Sequence, residues 1–176
     1  MLSIFLIKEL IKINQYYIQQ IFATIFYLSN KIQVQGDKLD ERITVRQWMV
    51  LLTILHLPED QASYSQIADK MGCTKQNVKH IIGSLEKKNY VFLEKNEKDK
   101  RAMNIRITED CKEIMEQYYE KGNHFLDNIF SCFSENDLKI LWEQLRKIAN
   151  YDGSNWTGYE EKVPIGEIEG DNINDK

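Results

Sequence analysis

Cys73 and His80 are the residues whose types first suggest chemistry, a thiol and an imidazole seven positions apart among Lys75, Lys79, Lys87 and Lys88. Nucleophilic catalysis needs a base within hydrogen-bond reach of the sulfur. On a helix, seven residues are about two turns, ~10 Å, too far for direct proton transfer. Cys111 and Cys132 complete the cysteines. An odd number at wide spacing is neither a disulfide framework nor a zinc motif, and it fits a reducing cytosol. No glycine-rich phosphate loop, histidine-rich metal set or carboxylate dyad accompanies them. The residues therefore point away from an enzyme and to no cofactor and no metal.

A different chemistry emerges when the same stretch is read as a helix. Val78, Ile81, Ile82 and Leu85 form an apolar stripe. At 100° per residue the opposite side carries Gln76, Lys79, His80, Gly83 and Lys87, flanked by Lys75 and Asn77. Every non-glycine side chain there donates hydrogen bonds. Gln and Asn suit bidentate contacts to adenine, and Lys suits guanine or phosphate. A solvated polar face with no partner has the same pattern, so the neighbouring elements decide.

Charge is segregated along the chain. The net charge is −4, which alone argues against a polyanionic partner. Residues 70–106, however, carry ten Lys/Arg against four Asp/Glu, and residues 151–176 carry two against seven. A basic middle on an acidic chain is the pattern of a localised anion-binding face.

The elements that must position this face follow from periodicity and caps. The chain of 176 residues is 43% hydrophobic with only eight glycines and two prolines, favouring a mainly α protein. Residues 2–30 predict a helix that is apolar nearly all round, which must be buried on more than one side; a second subunit is the expected cover. Residues 31–43 read as a polar connection. Thr44 and Gln47 form a capping box ahead of a helix with Trp48, Leu51, Leu52 and Leu55 on one face. Ser63 and Gln66 form another, opening a short helix that ends at Gly72. Thr74 is the cap of the basic helix. Short helix, glycine turn and longer basic helix make a helix-turn-helix. Val91 and Leu93, then Met103, Ile105 and Ile107, alternate with polar residues around the charged turn 96–100, which predicts a β-hairpin. Helices over about 109–131 and 134–151 follow, and residues 152–176 read as an acidic, flexible tail. Residues 2–7 are too short to cross a bilayer and lack a signal-peptide pattern, so a cytoplasmic protein with no membrane partner is expected.

Residues 44–110 resemble the multiple-antibiotic-resistance regulator (MarR) family of winged helix-turn-helix transcription factors. The matching segments are ITVRQWMVL, YSQIADKMGCTKQNVKHIIGSLEKKNYV and EKDKRAMNIRITED; Asp99-x-Arg101 followed by a strand and Thr108 is the most specific part. The usual Leu-Glu-x-x-Gly stands here as Leu85-Glu-Lys-Lys-Asn89, a mild departure because asparagine also tolerates a left-handed backbone. The resemblance implies a homodimer held by helices in 1–35 and 109–151, with a DNA-binding domain over 44–108 and a pseudo-palindromic operator. It places Thr74, Lys75, Gln76, Asn77, Lys79 and His80 in the major groove and the wing residues Lys98, Asp99, Lys100 and Arg101 at the minor groove. It further implies a repressor released by a small aromatic or phenolic ligand, for which Phe26, Tyr27 and Trp48 are the candidate pocket. Two alternatives remain open at this level: a winged helix used for protein–protein contact, and redox control through Cys73, whose place at a helix N-terminus among lysines would lower its pKa.

Overall fold

The computed structural model describes residues 4–58, 62–95 and 103–159, with side chains from residue 13 onward. Six helices and a two-stranded sheet follow one another as α1 (Ile4–Gly36), α2 (Val45–His56), α3 (Tyr64–Met71), α4 (Lys75–Lys87), β1 (Val91–Lys95), β2 (Met103–Ile107), α5 (Glu109–Phe130) and α6 (Glu135–Ala149). Local sequence sets most of these boundaries. Thr44 and Ser63 each accept from the N3 amide, while the glutamine at N3 returns a bond to the cap backbone. Gly72 ends α3 with φ +63, a left-handed conformation that costs glycine nothing. Thr74, Thr108 and Ser134 cap α4, α5 and α6.

Two boundaries differ from the sequence expectation. Helix α1 continues to Gly36 and takes in the first six residues of the connection expected over 31–43. The reason lies in packing: Gly36 is buried, and a Cβ there would run into Val45 at the start of α2. The glycine that reads as a loop residue is the point where two helices touch. On α2, Val50 and Ile54 are buried with Leu51, whereas Trp48 and Leu55 are only partly buried, so the buried face is rotated from the one the spacing suggests.

One core unites α2, α3, α4, the hairpin and the first turns of α5. Ile67, Val78, Ile82, Leu85, Val91, Ile105 and Cys111 lie inside it, each large aliphatic contributing about 1.5–3 kcal/mol by leaving water. The strands pair antiparallel with Val91 opposite Ile107 and Leu93 opposite Ile105. Ile105 also donates its amide to the Ala62 carbonyl at 2.9 Å, which ties the hairpin to the entry of α3. The fold is thus mainly α with a small β wing.

Outside this lobe, α1 leaves Tyr17, Ile21, Phe22 and Phe26 exposed, and α6 leaves Leu138, Trp142, Leu145 and Ile148 exposed. Among the described residues no helix is long and apolar enough to cross a membrane.

Candidate nucleic-acid interface

The turn between α3 and α4 aims the basic helix. The Gly72 amide donates to the Asp69 carbonyl at 3.2 Å and the Cys73 amide to the Ala68 carbonyl at 3.0 Å, closing α3. Thr74 then starts α4 by accepting from the Asn77 amide at 3.2 Å. Val78, Ile81, Ile82 and Leu85 face the core as the spacing predicts. Thr74, Lys75, Gln76, Lys79 and His80 are exposed on the other side, with Asn77 half-buried. These six candidates therefore lie along one helix, five of them open to solvent. No acidic side chain stands in the first turn, so nothing there opposes an anion at the helix's positive end. The Lys79 ammonium sits 5.8 Å from the Tyr64 ring of α3. Gly83 has nothing within 4 Å of where a Cβ would stand.

The far end of α4 is held partly by residues already legible in the sequence, Asn89, Thr108 and Gln47, and partly by Ser84, Arg42, Asp40 and Lys121, which the sequence does not single out. Asn89 takes φ 59, the left-handed cap expected from its substitution for glycine, and Thr108 donates its hydroxyl to the Asn89 carbonyl at 2.8 Å. Gln47 donates to the Ser84 hydroxyl at 3.0 Å, and Lys88 donates to Gln47 Oε1 at 3.1 Å and to the Arg42 carbonyl at 2.8 Å. Arg42 in turn grips Asp40 through Nε and Nη2 at 2.9 and 2.7 Å, and Lys121 of α5 reaches the same carboxylate at 2.8 Å. Asp40 is buried. The Arg42 guanidinium, helped by Lys121, holds its carboxyl well below the usual carboxylate range against the opposing effect of burial. The signal in the sequence is only Asp-x-Arg; Lys121 and Ser84 are too distant in the chain to be paired with it by reading.

The wing candidates Lys98, Asp99, Lys100 and Arg101 lie outside the described residues. The strand ends that lead into and out of that turn, Lys95 and Met103, are paired, and Arg106 forms an ion pair with Glu94.

Cys73 departs from expectation. It is half-buried at the α3–α4 turn, and burial raises its pKa, with Arg46 only partly opposing. The lowered pKa expected from nearby lysines and the helix N-terminus does not result, because loss of water costs the thiolate more than those exposed charges return. Cys111, fully buried, is pushed up to about 12 by the same cause.

The three proposed pocket residues are distributed over two surfaces. Phe26 and Tyr27 are exposed on α1, whereas the Trp48 ring packs on Tyr118 at 4.9 Å and on Tyr119 at 6.5 Å. A cavity of about 1050 Å³ lies elsewhere, between the ends of α1 and α6 and the α2–α3 side of the lobe, lined by Gln33, Arg46, Met49, Cys73, Trp156 and Tyr159 among others. Its last wall corrects the reading of 152–176 as a flexible tail from its first residue. Trp156 packs against Trp142 at 5.8 Å and donates its indole N–H to the Lys70 carbonyl at 2.9 Å. Tyr159 hydrogen-bonds the buried Thr53 hydroxyl at 2.9 Å. The one tryptophan and one tyrosine of 152–176, Trp156 and Tyr159, are the available signal. Residues 160–176 lie outside the described residues.

Comparison with known proteins agrees with this geometry. Residues 43–102 match the model of the MarR family. The chain is 29% identical over 109 residues to the HTH-type transcriptional regulator YfiV of Bacillus subtilis (strain 168), covering 57% of this chain and 68% of that protein. The first curated relatives are matched over 50% to 68% of their length. Among solved structures, the S. aureus MepR–DNA complex aligns with a TM-score of 0.67 at 20% identity, over 74% of this chain and 96% of that one. The organohalide-sensing regulator RdhR-CbdbA1625 in its 2,4-dichlorophenol-bound form also gives 0.67, at 16% identity, over 76% of this chain and 79% of that one.

Proposed function

We propose, from the match of residues 43–102 to the MarR family model, that the protein is a homodimeric, non-enzymatic cytoplasmic repressor of that family that binds a pseudo-palindromic operator in double-stranded DNA. The carrying observation is the polarity of α4: four core residues on one side and Thr74, Lys75, Gln76, Lys79 and His80 exposed on the other. A helix packed this way presents its N-terminal half to a major groove. Gln76 and Asn77 read adenine edges, Lys79 and His80 read guanine or bind phosphate, and Lys75 adds charge. Arg101, fixed by Asp99, enters the minor groove, flanked by Lys98 and Lys100. The apolar faces of α1 and α6 pair the two copies, which puts two recognition helices about one DNA turn apart.

A small aromatic or phenolic ligand is the effector in this reading. A ligand-bound structural neighbour supports it; Phe26, Tyr27 and Trp48 are the contacts proposed from the sequence, and the cavity beside Arg46 and Cys73, which none of the three lines, is the alternative seat.

The test is an anisotropy titration on a palindromic site selected from genomic fragments. Affinity should fall steeply with salt, with a log–log slope near −0.9 per phosphate contact. A flat dependence overturns the DNA reading. Arg101→Ala should weaken binding by about 1–3 kcal/mol and leave the dimer intact; unchanged affinity removes the wing from the interface.

A further inference from the structure

The lobe is joined to the flanking helices covalently in two places, through the loop from α1 to α2 and through the passage from β2 into α5. Both junctions are packed, Gly36 against Val45 and the first turns of α5 in the core, but neither holds α6, which follows α5 across the turn at 131–134. The segment from Asn150 to Tyr159 supplies a third attachment. It folds back sharply after α6: the Asn150 side chain donates to the Trp156 carbonyl at 3.0 Å and accepts from the Trp156 amide at 2.6 Å. The turn thereby clamps itself to the end of α6. Gly158 takes φ +83, and a Cβ there would meet the Trp142 ring at 2.5 Å, so the strap lies flat on α6.

From this base the strap reaches the lobe at two helices. Trp156 N–H satisfies the Lys70 carbonyl, one of those left without a partner at the end of α3. The Thr53 hydroxyl donates to the Met49 carbonyl at 2.7 Å, so its bond with Tyr159 is donated by the tyrosine. The Tyr159 ring stands edge-on to His56 at 5.2 Å, with the Lys70 ammonium 5.5 Å from its centroid. α3 leads directly into the turn that aims α4.

We propose that Trp156 and Tyr159 are positioning residues that lock the angle between α6 and the helix-turn-helix, and so determine which half-site spacing the dimer accepts. This rests on the proposed reading of a dimer on two half-sites. One inserted base pair rotates a half-site by about 35°. A locked dimer rejects that rotation; a dimer whose α6 is released from the lobe follows it.

The experiment measures full-length wild type, Trp156→Ala and Tyr159→Phe against operators whose half-sites are separated by the selected spacing and by one or two base pairs more or fewer. Tyr159→Phe leaves the Thr53 proton bonded and keeps the ring, so it preserves folding. Affinity for an isolated half-site and the sedimentation of the dimer are read in parallel. Wild type should show a sharp optimum. Both variants should bind the optimal spacing more weakly, about tenfold for Trp156→Ala, with tighter binding than wild type at shifted spacings and little change at the single half-site. A sharp wild-type optimum that both variants retain overturns this inference alone, as does a uniform loss across all spacings. A wild type with no preferred spacing overturns it together with the reading it rests on.

Discussion

Asp40 shows how one carboxylate can join two distant parts of the chain. It sits in the α1–α2 loop, bonds Arg42 beside it and takes Lys121 from α5. Its folded pKa lies below its unfolded value of about 3.9, so the unfolded chain binds more protons near that pH. The stability it contributes is therefore present above about pH 4 and is lost as pH falls through and below that value. Asp40→Asn should lower stability at pH 7 by about 1–3 kcal/mol, toward the lower end because Arg42 and Lys121 are half exposed and screened. It should also flatten the acid limb; chemical denaturation at several pH values measures both. Cys73 makes the opposite point. Burial raises its pKa, so at pH 7.5 iodoacetamide should label it more slowly than free cysteine, and label Cys111 only after denaturation, as followed by mass spectrometry. Rapid labelling of Cys73 would restore the redox alternative. Gly36→Ala should cost about 1–3 kcal/mol by overpacking against Val45.

Among the elements, α4 was almost wholly legible from its own residues. Its stripe, its threonine cap and its left-handed asparagine exit all depend on neighbours within a few positions, and those interactions are set by helix geometry alone. The orientation of α4 was not legible, because Gln47, Ser84 and Lys88 meet only after α2 and α4 have packed. Gly83 separates the two kinds of demand. Nothing in the free protein requires glycine there, and in a helix interior it costs about 1 kcal/mol against alanine. Gly83→Ala should raise stability by about 0.5–1 kcal/mol while weakening operator binding severalfold, if the bare backbone serves close approach to DNA. A stabilised variant with unchanged affinity would show that the glycine has no such part. The buried face of α2 was misplaced for the reason that made α4 easy: α2 is apolar on most sides, and only its neighbours choose which side becomes the core.

At the scale of the whole molecule, two apolar surfaces lie outside the lobe. Phe22 and Phe26 are 65% and 60% exposed on α1, at positions that read from sequence as covered by a second subunit. Phe22→Glu with Phe26→Glu should shift the protein to monomer in sedimentation, weakening the dimer by about 30-fold or more, and abolish the preference for a palindrome over a half-site. The lobe alone should keep its fold, because its core shares none of those side chains.

The sequence by itself determined the winged lobe: capping boxes, glycine turn, stripe and alternating strands are local patterns whose physics acts within one or two turns. It also determined the polarity of α4 and the apolar excess of α1. Tertiary structure alone decided that Gly36 is a helix contact, that Asp40 pairs with Lys121, that Cys73 is desolvated and that Trp156 and Tyr159 bind α3 and α2. Each of these depends on residues far apart in the chain approaching within a few ångströms. The cost of removing water from a charge or ring is fixed only when that approach is complete.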